Sequence, residues 1–128
     1  MHYAAAVTLI AALLYAGSIL LVGWARWRHG IDAPSVTGHP AFERAHRVQT
    51  NTLEQMPIFL PSLWLASWLH SDEVAGAIGL LFIGFRVLYA VLYLRDSERR
   101  GWGYAPGAFC MLALWILAVW GLAERTTI

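Results

Sequence analysis

Long runs of apolar residues, separated by short polar connections, constrain the fold of this 128-residue chain more than any other feature. The first run, residues 3–22, contains no charged residue. A helix of about 20 such residues spans the roughly 30 Å hydrocarbon core of a bilayer. Only 13% of the residues are charged, whereas a soluble domain typically has about 25%. The sequence therefore predicts an all-α integral membrane protein.

Four helices are predicted, and they form one transmembrane domain over residues 1–128 as a four-helix bundle. They cover approximately residues 3–28, 41–70, 73–95 and 104–122. Glycines and prolines between residues 29 and 40 mark the first connection as a loop. Pro40 suits the first position of the second helix, and Ser71 or Asp72 suits the N-cap of the third. The polar segment 96–103 is the predicted third connection.

The arginines predict the orientation of the chain in the membrane. All nine cationic residues are arginines. Most of them flank the first and third connections: Arg26, Arg28, Arg44, Arg47, Arg95, Arg99 and Arg100. Because positive charge is retained on the cytoplasmic side, both connections are predicted to be cytoplasmic and both termini to lie outside. Arginine also binds carboxylates in two-pronged contacts, although an all-arginine set equally fits the codon usage of a GC-rich genome.

The segment from Phe42 to Pro57 carries a row of polar residues at helical spacing. The row consists of Arg44, Arg47, Asn51 and Glu54. Steps of three and four place these residues on one face of a helix. A charged row that leads into an apolar membrane helix is costly unless it faces a protected site or a partner. The row therefore predicts the floor of a binding site for a small zwitterionic ligand.

A second row lies on the third helix, near the same end. It consists of Phe82, Arg86, Tyr89, Tyr93 and, if the helix extends that far, Arg100. This spacing also falls on one helix face. We expect the two rows to line one cleft that opens at the cytoplasmic interface. Without the arginines, the two tyrosines would equally fit ordinary packing.

Such a cleft offers a partner to each functional group of a small peptide. Arginines bind carboxylates, Glu54 binds an ammonium group, Asn51 binds an amide, and tyrosine hydroxyls donate to a carbonyl or a sulfur. Several arginines also favour the anion of a bound thiol, which is the reactive nucleophile. Glutathione carries a thiol, two carboxylates and an amine, and it is therefore the expected co-substrate.

The polar residues also have purely structural interpretations. Arg86 and Glu54 can form an intramembrane ion pair that holds two helices together, and for Arg86 alone this is the favoured interpretation. The histidines lack ligand spacing and Cys110 is the single cysteine, so no metal site is expected. A small multidrug transporter also has four short helices, but its first helix needs a carboxylate, which residues 3–22 lack.

The segment FERAHRVQTNTLEQMPIFLPSLWLA, which begins at Phe42, resembles the second helix of the MAPEG family, the membrane-associated proteins in eicosanoid and glutathione metabolism. The positions that match the family pattern are Phe42, Glu43, Arg44, Arg47, Gln49, Asn51, Glu54 and Pro57. The lead-in from Thr37 and the R-x-x-Y-x-x-x-Y pattern from Arg86 to Tyr93 extend the resemblance over most of the chain.

The resemblance implies a homotrimer that binds glutathione between neighbouring subunits near the cytoplasmic face. The glutathione-binding positions of the leukotriene synthase branch fall on Arg47, Asn51, Glu54, Tyr89, Tyr93 and Arg100. Contacts donated by the adjacent subunit fall on Arg26 and Gln49. Further expected partners are membrane lipids and a hydrophobic small-molecule or lipid substrate, with no nucleic acid, and the expected location is a bacterial inner membrane.

Two positions depart from that branch. Gln55 replaces the tyrosine that follows the motif glutamate, and Trp27 stands where the branch has the arginine that activates the thiol. Arg26 or Arg28 is the alternative candidate for this catalytic role. The expected function is a membrane-bound glutathione transferase or peroxidase that detoxifies apolar electrophiles. Because the family includes a lipid-presenting member without enzymatic activity, the alternative is a non-catalytic glutathione- or lipid-binding protein.

Overall fold

A computed structural model of the chain describes residues 1–95 and 97–127, without the side chains of Ser97 and Arg100. These residues form four α-helices and no strand. The helices are α1 (His2–His29), α2 (Pro40–Leu69), α3 (Asp72–Arg95) and α4 (Gly101–Thr126). The predicted all-α fold of four helices is therefore confirmed. The fourth helix begins earlier than expected, because a 3-10 helix of four residues, Ser97–Arg100, makes the turn from α3.

The helix ends at the first connection follow from local sequence. Gly30 ends α1 in a left-handed conformation with φ of 65°, and its N–H donates to the carbonyl of Arg26. Glycine adopts this conformation without the steric cost of a Cβ. His39 caps α2, since its Nδ1 accepts from the N–H of Ala41 at 3.1 Å. Pro40 occupies the first helical position, where its missing N–H would have had no helical partner.

Asp72 joins the starts of α1 and α3 to the end of α2. Its carboxylate accepts from the N–H groups of Tyr3 and Ala4, each at 3.0 Å, and from the hydroxyl of Ser67 at 2.6 Å. The amino group of Met1 lies 3.4 Å from the same carboxylate. The acceptor satisfies N–H groups that have no partner within α1. These contacts gather three helix ends at one end of the bundle and leave the first and third connections at the other.

The helices pack through aromatic and small residues. Phe59 of α2 and Phe82 of α3 are both buried and stack with their ring centres 4.2 Å apart. Gly79 allows α1 and α2 to approach α3, because a Cβ there would lie 2.9 Å from side-chain atoms of Val7 and Leu63. Small residues at helix contacts are characteristic of membrane bundles, where close approach of the backbones drives association.

The outer surface of the bundle is apolar. Leu13, Leu20 and Phe109 are each more than 70% exposed, and contiguous apolar surface of this kind marks contact with lipid or protein. Within the described residues, three helices, α1, α3 and α4, are long and apolar enough to cross a membrane. Helix α2 does not meet the same criterion of length and composition, because the polar row in its first half lowers its hydropathy.

Candidate functional site

A polar cleft opens between α2, α3 and the start of α4, at the end of the bundle that carries the first and third connections. Its volume is about 410 Å³, which is within the range of small-molecule sites. It is lined by Arg47, Asn51, Tyr89, Tyr93, Gly101 and Tyr104. The structure thus brings four of the predicted site residues together and adds Gly101 and Tyr104 to them.

Helical spacing explains why each helix contributes a pair of residues to the polar cleft. Arg47 and Asn51 lie four residues apart on α2, as Tyr89 and Tyr93 do on α3. Residues at this spacing share one helix face. The ring of Tyr89 lies 5.6 Å from that of Tyr93 and 6.4 Å from that of Tyr104, measured between ring centres. The three tyrosines therefore form one continuous wall.

Close contact between the backbones of α3 and α4 sets the position of that wall. Gly103 is buried against α3, and a Cβ at this position would lie 2.7 Å from the carbonyl oxygen of Phe85 and 2.7 Å from the Cα of Tyr89. Only glycine permits such an approach without displacing the backbone. Because Tyr104 is the next residue along α4, the contact holds its side chain beside Tyr89.

Arg86 lies behind the wall of the polar cleft and is only 3% exposed. Its Nη2 donates to Oδ1 of Asn51 at 2.9 Å and to Oγ1 of Thr52 at 3.2 Å. Its guanidinium carbon lies 4.3 Å from the centre of the Tyr89 ring. Among the described residues it forms no ion pair with Glu54, which is exposed. The structural interpretation that pairs these two charges is therefore wrong.

The remaining predicted residues do not line the polar cleft of their own chain. Glu54 is exposed and Gln49 is half-buried elsewhere on α2. Arg26 packs on the first connection, where its Nη1 donates to the carbonyl of Ser35 at 2.7 Å and its guanidinium lies 4.8 Å from the centre of the Phe42 ring. Arg28 is exposed at the end of α1.

Arg100 and the absence of a metal ion are the two remaining predictions for the site. The side chain of Arg100, a predicted glutathione contact, lies outside the described residues. Its backbone ends the 3-10 helix, immediately before Gly101 of the polar cleft. In the described part of the chain, no group of three or more His, Cys, Asp or Glu side chains is placed to hold a metal ion.

Sequence reasoning missed Tyr104 because it placed the start of the fourth helix at that residue. With the start at Gly101, the spacing of three residues puts both positions on the face that lines the polar cleft. Gln55, one of the two departures from the leukotriene synthase pattern, lines a small cavity of about 30 Å³ together with Arg86 and Tyr104. The residue at position 55 therefore lies beside the polar cleft and not within its lining.

Comparisons with known proteins cover nearly the whole chain. The model of the MAPEG family matches residues 3–120. The chain is 39% identical to microsomal glutathione S-transferase 2 of Mus musculus over 121 residues, which is 94% of this chain and 82% of that protein. It is 38% identical to leukotriene C4 synthase of Cavia porcellus over 113 residues, 88% of this chain and 73% of that protein. An uncharacterized Synechocystis protein is 39% identical over 110 residues, 86% of this chain and 80% of that protein.

Proposed function

This chain belongs to the MAPEG family of integral membrane proteins, and from that premise we propose that it is a glutathione transferase, with glutathione peroxidase activity, that detoxifies apolar electrophiles. The observation that supports the proposal is the polar cleft at one end of an otherwise apolar bundle. Its lining joins the guanidinium of Arg47 to an amide and three phenols. Relatives at 39% and 38% identity are named for glutathione transfer and leukotriene C4 synthesis.

The residues of the polar cleft suit the parts of glutathione that do not react. Arg47 binds a carboxylate of the tripeptide through charge-assisted hydrogen bonds. Asn51 binds a peptide or carboxylate oxygen, and the phenols of Tyr89, Tyr93 and Tyr104 donate to a carbonyl or to the sulfur. Together these contacts orient the thiol, and orientation of a bound reactant lowers the barrier of the chemical step.

The chemical step in the proposal is attack by the glutathione thiolate on an apolar substrate that enters from the lipid. A guanidinium group beside the sulfur stabilises the thiolate, and Arg26 or Arg28 is the candidate for this role. The sulfur forms a bond to an electrophilic carbon, and the displaced electron pair leaves on the substrate oxygen or halide. With a hydroperoxide, the sulfur attacks the terminal oxygen, the O–O bond breaks, and the alkoxide takes up a proton and leaves as the alcohol. The thiol of a second glutathione then attacks the resulting sulfenic acid, which releases water and gives the disulfide.

Assembly and orientation belong to the same proposal. Arg26 and Gln49 lie outside the polar cleft of their own chain, so a homotrimer in which a neighbour supplies both residues would complete the site. In this proposal the protein lies in a bacterial inner membrane, and its first and third connections lie on the cytoplasmic side. Glutathione can reach the polar cleft from the cytoplasm. Cross-linking in native membranes tests the trimer, and cysteine accessibility in the first connection tests the orientation.

Glutathione binding and thiolate formation are the direct test of the proposal. Arg47→Ala is expected to weaken binding by about 10–100-fold, since hydrogen bonds to charged groups contribute roughly 1.5–3 kcal/mol. Arg125→Gln is the matched control, because Arg125 lies at the opposite end of the bundle, where it donates to the carbonyl of Trp68. Ultraviolet absorbance of the thiolate should appear when glutathione is added to the purified protein.

The second candidate function is non-catalytic binding of glutathione or a lipid. It is favoured by Trp27, which replaces the thiol-activating arginine and is 79% exposed, and by the engagement of Arg26 with the first connection. Glutathione affinity that is lost in Arg47→Ala, with no thiolate and no conjugation of several electrophiles, would establish the binder. Absence of any glutathione affinity would reject the enzyme and the glutathione binder, and it would leave only binding of a lipid.

A further inference from the structure

The guanidinium of Arg86 lies between the polar cleft and a second cleft. Nη2 of Arg86 donates to both Asn51 and Thr52. Asn51 lines the polar cleft, whereas Thr52 and Arg86 line an apolar cleft of about 350 Å³ between α1, α2 and α3. The hydrogen bond from Arg86 therefore reaches Asn51 from behind, on the side away from the ligand.

The chemistry of arginine determines which way the Asn51 carboxamide faces. A guanidinium has only N–H donors, whereas a carboxamide has one acceptor oxygen and one NH₂ group. If the carboxamide turned over, its NH₂ would face the guanidinium and leave donors unsatisfied at a buried position, which is costly. The oxygen of Asn51 is thus held towards Arg86, and its two N–H groups are left for the polar cleft.

We propose that Arg86 is a positioning residue that fixes Asn51 as a donor, so that position 51 of the polar cleft accepts only a ligand oxygen, the carbonyl or carboxylate of glutathione. The inference rests on the proposed function and adds to it a role for Arg86, which the sequence placed in the second polar row but which does not line the polar cleft. It also gives a rule of specificity. Thiols that lack a carbonyl or carboxylate group, such as 2-mercaptoethanol, lose this contact and bind more weakly.

Asn51→Asp tests the orientation of the carboxamide. The carboxylate has nearly the same shape and still accepts from Arg86, but it has no N–H to offer the ligand. We expect a midpoint of thermal unfolding equal to or above that of the wild type, because a buried cation gains a charged partner. Glutathione affinity, measured by titration calorimetry, should fall at least tenfold. An affinity equal to the wild type or higher would overturn the proposal.

A double-mutant cycle tests whether Arg86 acts through Asn51. Arg86→Met should weaken glutathione binding in the wild-type background and cause no further loss in the Asn51→Ala background. Arg86→Lys, which keeps a donor, should restore part of the affinity. Thr52→Val is the matched control, because it removes the other acceptor of Arg86 and should lower the thermal midpoint without changing the affinity. If the fold-losses of glutathione affinity from Arg86→Met and Asn51→Ala multiply in the double variant, the positioning role is overturned.

Failure of the inference is distinguishable from failure of the proposed function. A wild-type protein that does not bind glutathione rejects the proposed function and the ligand assigned to position 51. In that case thermal stability alone tests the hydrogen bond between Arg86 and Asn51. Asn51→Asp should leave the thermal midpoint unchanged or raise it when Arg86 is present, and lower it in the Arg86→Met background. A lower midpoint in the presence of Arg86 would overturn the contact.

Discussion

Replacing Gly103 by alanine is expected to destabilise the bundle and distort the polar cleft. Gly103 is buried, and a Cβ there would lie 2.7 Å from backbone atoms of Phe85 and Tyr89, where ordinary contacts begin at 3.4 Å. The amide nitrogen of Tyr89 would lie closer still. The start of α4 must therefore move by about 1 Å, because backbone atoms cannot rotate away from a methyl group as a side chain can. The movement separates Tyr104 from Tyr89.

Two opposing effects set the size of the change. Overpacking costs roughly 1–3 kcal/mol, whereas alanine is favoured over glycine inside a helix by about 1 kcal/mol. These two values leave a net loss of about 0–2 kcal/mol in the free energy of unfolding, and we expect the upper end of this range because the added methyl group meets backbone atoms. Since a misplacement of about 1 Å can cost up to 100-fold in function, we expect glutathione affinity to fall about tenfold.

Gly107→Ala is the matched control for Gly103→Ala. Gly107 is buried one turn further along α4, but a Cβ there would lie 3.8 Å from the ring of Phe82, which is an ordinary contact. This variant should be as stable as the wild type or more stable, with unchanged glutathione affinity. Thermal unfolding in detergent and titration calorimetry measure both quantities. The reasoning is refuted if the two alanine variants behave alike in both assays.

Two further predictions concern parts of the bundle away from the polar cleft. Asp72→Asn weakens the charge-assisted hydrogen bonds to the start of α1, so it should lower the thermal midpoint without changing glutathione affinity. Glu73→Gln, at an exposed neighbour, should change neither quantity, and equal thermal midpoints for the two variants would contradict the prediction. Trp115→Phe removes the hydrogen bond from Nε1 to Oγ of Ser62 at 2.7 Å and should cost about 1 kcal/mol of stability. In a cycle with Ser62→Ala the two losses should not add, and full additivity would show that the bond contributes nothing.

The number and type of helices were predictable because each helix coincides with a long segment bounded by polar or glycine-rich connections. Pro57 and Pro61 lie inside α2 without ending it, as membrane helices tolerate. The start of α4 was not, since the polar and glycine-rich segment 96–103 has the composition of a loop. The turn from α3 is made instead by the 3-10 helix Ser97–Arg100, which leaves Gly101 free to begin α4. Local composition does not record this compact turn, because it depends on how closely α4 can approach α3.

The residues that share one face of each helix were predictable, but which faces lie opposite each other in the polar cleft depends on how the helices pack. Helical spacing places Asn51 and Tyr89 on their respective faces without any knowledge of the fold. The partner of Arg86 was not predictable, because spacing along one helix does not show which residue of another helix lies opposite. Arg26 illustrates the same limit, since its contact with Ser35 depends on the conformation of an irregular connection.

Glycines fix α4 at two points along its length. Gly103 rests on the backbone of α3, and Gly121 rests on the end of α2, where a Cβ would lie 3.0 Å from the amide nitrogen of His70. Because these contacts lie near the two ends of α4 and involve different helices, α4 cannot shift or tilt without losing one of them. We therefore expect the mouth of the polar cleft to keep a nearly constant width, so that the side chains around its rim discriminate among incoming molecules.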